Sequence, residues 1–100
     1  MITFKAFITE SDNFSAMATV ADRAAKDCRD EFKKSNRSID LKDAEEYEKI
    51  AELIRAGKHG QAQQAYRRLD TAARDILTDK NKIPNDLSKA VADYFEFDWL

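Results

Sequence analysis

At 100 residues the chain is long enough for one domain that buries roughly 65% of the surface of its extended form, so it needs no disulfide or metal staple. Apolar residues make up 43% and charged residues 36%, with two glycines and one proline, which excludes disorder by composition and a turn-dense β architecture. The formal charge of −2 is too small for a DNA mimic and gives no bulk attraction to a phosphate backbone, and the single cysteine, Cys28, excludes an internal disulfide and suits a reducing cytoplasm.

In chain order, residues 1–10, MITFKAFITE, are a segment apart from a single helical domain over 11–100. Thr3 can cap a short helix with Phe4, Phe7 and Ile8 on one face, while the alternation Ile2, Phe4, Ala6, Ile8 would equally suit a strand. Nothing later offers a strand to pair with, so a short helix or an ordered extended arm is expected. Ser11, Asp12 and Asn13 then break the pattern with good N-cap residues.

From about Phe14 to Lys34, Phe14, Met17, Val20, Ala21, Ala24, Ala25, Cys28 and Phe32 form a helical stripe of about five turns. Asp22 with Lys26 and Asp30 with Lys34 are spaced for i,i+4 pairing on its outer face. After a loop over 35–40, with Asp40 as N-cap, a second helix spans Leu41 to Ala56 on the stripe Leu41, Ala44, Tyr47, Ile50, Ala51, Leu53, Ile54. Gly57 reads as a left-handed helix stop, and a third helix follows from Gln61 to Leu77, making an antiparallel hairpin with the second. Leu53, Gly57, Ala62, Tyr66 and Leu69 resemble the helix-turn-helix unit of tetratricopeptide repeats, here as a shared packing solution, because one unit does not make a solenoid. TDKNK is a loop, Pro84 stands where a first-turn proline belongs, and Leu87, Ala90, Val91, Tyr94 and Phe95 define the last helix. The expected fold is all-α: a compact bundle of about four amphipathic helices around a central hairpin. Alanines 21, 24, 25, 62, 65, 72 and 73 would permit close axes.

Chemistry has little to work with. His59 is the only histidine, which excludes a two-histidine metal site within one chain, and its place beside a helix C-terminus suggests a capping role. Cys28 lies on an apolar stripe and reads as core. Glu45, Glu46, Glu48 and Glu52 read as a solvated helix face, with Glu45 spaced to pair with Lys49. With no glycine-rich phosphate loop, no CxxC and no GxSxG, the expectation is a non-enzyme with no cofactor, no metal and no catalytic residue.

Two stretches are candidates for partner binding. Arg55, Lys58, His59, Arg67 and Arg68, with Arg74, gather at and after the hairpin turn; a patch this size would give at best weak, salt-sensitive nucleic-acid contact, and a solvated helix face is the preferred reading. The chain ends in FEFDWL, where Phe97 and Trp99 either close the core, the preferred reading, or form an exposed apolar hook. Acidic-aromatic C-termini of this kind resemble the protein-recruiting tails of phage single-strand DNA-binding proteins, whose basic, aromatic binding domain is missing here. The alanine-rich faces leave open whether packing occurs within one chain or between copies in a homo-oligomer. No apolar run approaches the roughly 20 residues of a membrane span.

The opening MITFKAFITE is similar to the capsid-targeting leader on internal head proteins of T-even-type tailed phages. Thr3, Phe4, Phe7, Ile8 and Glu10 match that leader; Ile2 and Ala6 depart from its more polar commonest form. The resemblance implies cutting after the triplet Ile8-Thr9-Glu10, with Ser11 as the new first residue. It also implies entry into the assembling prohead and packaging beside the genome, and so a host cytoplasmic protein destined for the virion head. Residues 1–10 as a plain first helix docked on the core remain the alternative. The other functional expectation is a cytoplasmic phage inhibitor or adaptor, an anti-restriction or other anti-defence protein, that binds a host enzyme or nucleic-acid machine through the basic hairpin or the FEFDWL end.

Overall fold

Residues 12–97 and 99 are described in a computed structural model; the 1–10 segment and the cleavage residues Ile8, Glu10 and Ser11 lie outside them. Among the described residues there are five helices and no strand: α1 (Asp12–Ser35), α2 (Ser38–Arg55), α3 (His59–Arg67), α4 (Thr71–Leu77) and α5 (Asn85–Glu96). The all-α expectation holds, with one helix more in the body than the periodicity predicts.

α1 and α2 are joined by two residues, so they must run antiparallel. Asn36 makes the turn with a φ of +57°, where its short polar side chain is tolerated, and its N–H bonds the Phe32 carbonyl at 2.7 Å. So short a link starts α2 earlier than expected. Asp40, expected as the N-cap, sits inside the first turn, and its carboxylate accepts from Ser35 Oγ at 2.7 Å. Register is visible in the ion pairs that cross the two helices: Asp22 with Arg55, and Arg29 with Glu48, one partner advancing seven residues as the other retreats seven. Asp22 thus pairs across to α2 rather than with Lys26 of its own helix.

The seam between them is lined by small side chains: Ala18, Ala21, Ala24, Ala25, Ala44 and Ala51 are all buried. Tyr47, Ile50 and Ile54 fill the space beside them, and Cys28 is part of the same core.

The third helix breaks in two. Asp70 takes an extended backbone (φ −72°, ψ 170°) and its carboxylate accepts from the Ala73 N–H at 2.8 Å, an N-cap that begins a new helix inside the apolar run. The phase shift turns Ala72 outward, against expectation, while Leu69, Ala73 and Leu77 stay in the core. α4 is tied to the long pair by Arg23 Nη2, which donates to the Ile76 carbonyl at 2.7 Å, and by Tyr47, whose hydroxyl donates to the Ala73 carbonyl at 2.6 Å. Pro84 is the N-cap of α5 (φ −58°, ψ 151°) rather than its first-turn residue, and its carbonyl accepts from the Ser88 N–H at 2.9 Å. Ser88, itself buried, donates its hydroxyl to the Thr78 carbonyl at 2.7 Å and so fixes the loop before α5, where Ile83 also enters the core.

Candidate functional site

The hairpin turn closes on Gly57 at φ +75°, where its N–H bonds the Ile54 carbonyl at 3.1 Å and the Lys58 N–H bonds the Leu53 carbonyl at 2.9 Å. This is a Schellman ending, which requires a left-handed residue at the Gly57 position. Lys58 becomes the N-cap residue of α3, so His59 opens that helix instead of capping the end of α2. The capping role expected for His59 is therefore replaced by a place in an aromatic cluster.

Its imidazole lies against Phe14 of α1 (centroids 4.4 Å apart) and Trp99 (4.7 Å), and its Nδ1 is 2.7 Å from the hydroxyl of Tyr94 on α5. Burial holds its pKa below the ordinary histidine value. Trp99 is packed against Tyr94 as well, and its indole N–H donates to the Tyr94 carbonyl at 2.7 Å. Trp99 thus folds back over the start of α3.

Gln63 holds the end of α5 there. It is 2% exposed, and its amide nitrogen donates to the carbonyls of Phe95, at 2.8 Å, and of Phe97. One side chain from α3 thereby satisfies two carbonyls at the end of α5. One turn further along, Tyr66 stacks on Phe95 at 4.1 Å with the rings 7° from parallel, and the Arg74 guanidinium lies over the Tyr66 ring, its Cζ 5.9 Å from the centroid. Phe97 packs edge-on against Trp99 and, with Ile39, is one of the two exposed large apolar side chains among the described residues.

Of the residues singled out in the sequence, the structure packs His59 against Trp99 and Trp99 against Phe97, with Arg55 on a cleft that His59 also lines and Lys58 next to His59 in the chain. Two stretches far apart in the chain form one surface. Beside it, a cleft of about 310 Å³ is lined by Phe14, Ile54, Arg55 and His59 among others. Arg55 is exposed and engaged with Asp22, and Lys58 is exposed. Arg67 and Arg68 are exposed too, but they sit at the far end of α3, about 15 Å from Lys58 at 1.5 Å of rise per residue. The basic residues around the hairpin therefore form two groups and not one patch.

Phe14, Gln63 and Tyr94 complete the site, and sequence reasoning did not single them out for it. Phe14 and Tyr94 were placed on core stripes, and nothing in a stripe distinguishes a site-facing ring. Gln63 had a usable signal: His59, Gln63 and Tyr66 are spaced i, i+4, i+7, a polar row on α3 that faces α5 and the residues after it.

A second cleft, of about 540 Å³, lies between α1 and the loop after α4 and is lined by Arg23, Cys28, Lys34 and Asp79 among others. Arg23 Nη1 is paired with Asp27 at 2.7 Å, and burial, with help from Asp43 and Asp40, pushes the Cys28 thiol up to about 11, so it stays protonated and unreactive near neutrality. Among the described residues no group of three or more His, Cys, Asp or Glu side chains is arranged to hold a metal ion, and no helix is long and apolar enough to cross a membrane. No protein-family model matches this chain, and no curated protein or solved structure matches it.

Proposed function

We propose that this chain is a small tailed-phage protein that works without catalysis, by protein–protein contact, and is associated with or packaged in the phage head. The observation that carries the reading is the opening MITFKAFITE itself, with Thr3, Phe4, Phe7, Ile8 and Glu10 in the leader's positions and Ile8-Thr9-Glu10 in the form such leaders are cut after. Coexpression with the cognate prohead protease tests this: the expected product begins at Ser11 and keeps the helical content and thermal midpoint of the full chain. A product that still begins at Met1 removes the packaged reading.

A second reading, a cytoplasmic inhibitor or adaptor of a host enzyme or nucleic-acid machine, is favoured by the meeting of the hairpin turn and the C-terminal aromatics in one surface. Arg55 lines the cleft that His59 also lines, Lys58 directly precedes His59, and Trp99 packs on the His59 ring, a mixture of cations and aromatics that suits a protein partner. Host-lysate pull-downs with the full chain and with a chain ending at Phe95 separate the two readings. Equal recovery of the same partners by both would rule out the aromatic end as the binding surface.

A further inference from the structure

Tyr94 joins the imidazole to the C-terminal residues: its hydroxyl meets His59 Nδ1 at 2.7 Å and its carbonyl accepts the Trp99 indole N–H at 2.7 Å. The tyrosine is fully buried, and His59 is the partner its hydroxyl has among the described residues. A buried O–H without an acceptor is costly, so the hydroxyl proton points at Nδ1 and the neutral imidazole carries its own proton on Nε2.

We propose that His59 and Tyr94 form a pH-sensitive latch for Trp99: neutral His59 keeps Trp99 seated against Phe14 and Tyr94, and protonation at Nδ1 lets it leave. Protonation reverses the hydrogen bond. Nδ1 becomes a donor, the Tyr94 oxygen has to accept, and the phenolic proton is left buried with no acceptor. The new cation also forms against the Phe14 and Trp99 rings, which sit next to each other with centroids 6.1 Å apart and together keep water from part of the imidazole. The rings offset part of that penalty by cation–π attraction. Releasing Trp99 gives the part of the imidazolium it covers back to water while Phe14 stays in place.

Few charged groups surround the ring among the described residues. α5 contributes Tyr94, α2 contributes Arg55, which lines the same cleft and is held by Asp22 of α1, and Lys58 directly precedes His59. Phe14, Ser15 and Trp99 bring no charge. The sign follows: burial keeps His59 below the ordinary value of 6.5, so the closed form binds fewer protons than the open one. It is favoured above pH 6.5 and loses ground as pH falls below that value. The latch is independent of whether the protein is packaged.

His59 is the only histidine and Trp99 the only tryptophan, so the response and its reporter are both unique. Acrylamide quenching of Trp99 fluorescence is followed from about pH 8 to about pH 5, the range over which a histidine titrates, with far-UV circular dichroism recorded on the same samples. The expected result is one rise in quenching toward that of an exposed indole, with a midpoint below 6.5 and unchanged helix content. In His59→Gln, whose amide oxygen accepts the Tyr94 proton at every pH, the rise is lost. In Tyr94→Phe, which frees Nδ1, the midpoint moves up toward 6.5. Quenching that stays flat in the unaltered protein, a rise that persists in His59→Gln, or a rise that coincides with loss of helix overturns the latch.

Discussion

Along α1 and α2 the contact is made by alanines and a few large apolar side chains, and the polar pairs that cross it, Asp22–Arg55 and Arg29–Glu48, lie on the surface. In α3, α4 and α5 the helix ends are held by side chains from elsewhere. Gln63 takes the carbonyls of Phe95 and Phe97, Arg23 takes Ile76, Tyr47 takes Ala73, Ser88 takes Thr78 and Arg74 takes Leu69. Length explains the difference. Each helix leaves four N–H groups and four carbonyls without an internal partner, a small share of the 24 residues of α1 but a group on nearly every residue of the 7-residue α4. Short helices are also marginal on their own. The long pair stands on its apolar seam, whereas the short helices exist because tertiary hydrogen bonds complete them.

If that contrast is right, a cut in the seam costs most and acts everywhere. Ile54→Ala, at a site 2% exposed, should cost about 2–5 kcal/mol. At about 4–8 °C per kcal/mol for a domain of this size, thermal melting followed by circular dichroism would show it as a large, cooperative drop in Tm. Gln63→Leu comes next. It keeps the volume and the apolar contacts but deprives two carbonyls of their donor, and the loss should be about 2–4 kcal/mol. Here the effect should be local, with amide exchange rising first at the end of α5 while α1 and α2 stay protected. Uniform exchange across all five helices in that variant would erase the distinction between the two regions.

The same division governs what could be read from the sequence. The stripes of α1 and α2 were legible because a long helix repeats its apolar signal over several turns, and Met17 through Cys28 and Ala44 through Ile54 lie where that signal put them, with Phe32 and Leu41 at the stripe ends only half-buried. Gly57 was legible because only one backbone conformation closes that turn. The break at Asp70 was not, since Leu69, Ala72, Ala73, Ile76 and Leu77 continue a 3.6-residue rhythm through it, and a capping aspartate looks like any surface acid until its partner N–H is known. The aromatic site was legible in pieces. His59 and the FEFDWL end were both singled out, but their meeting depends on the path of α5 and on Gln63, and no local pattern encodes a contact 32 residues away.

Gly57→Ala isolates the turn that divides the regions. A Cβ there meets nothing within 4 Å, so the penalty is that of the left-handed backbone alone, about 1–2 kcal/mol, and should be smaller for Gly57→Asn. Equal Tm values for the alanine variant and the unaltered protein would mean that the turn relaxes to another geometry at no cost.

The smallest expected effect, from Asp70→Ala, is the most telling about why α3 and α4 are separate. The carboxylate is the only side-chain cap bond at the start of α4, and removing an N-cap costs about 1 kcal/mol. Two responses of similar energy can be told apart. If α4 exists by virtue of its cap and the hydroxyl of Tyr47, the variant frays, exchange quickens at Ala73 and helix content falls slightly. If the aspartate only interrupts an otherwise continuous helix from Gln61 to Leu77, helix content rises, because the alanine restores the rhythm and lets α3 run on into α4. The fixed positions of Arg74 on the Leu69 carbonyl and of Tyr47 on Ala73 favour the first outcome, since a straight helix would have to break both.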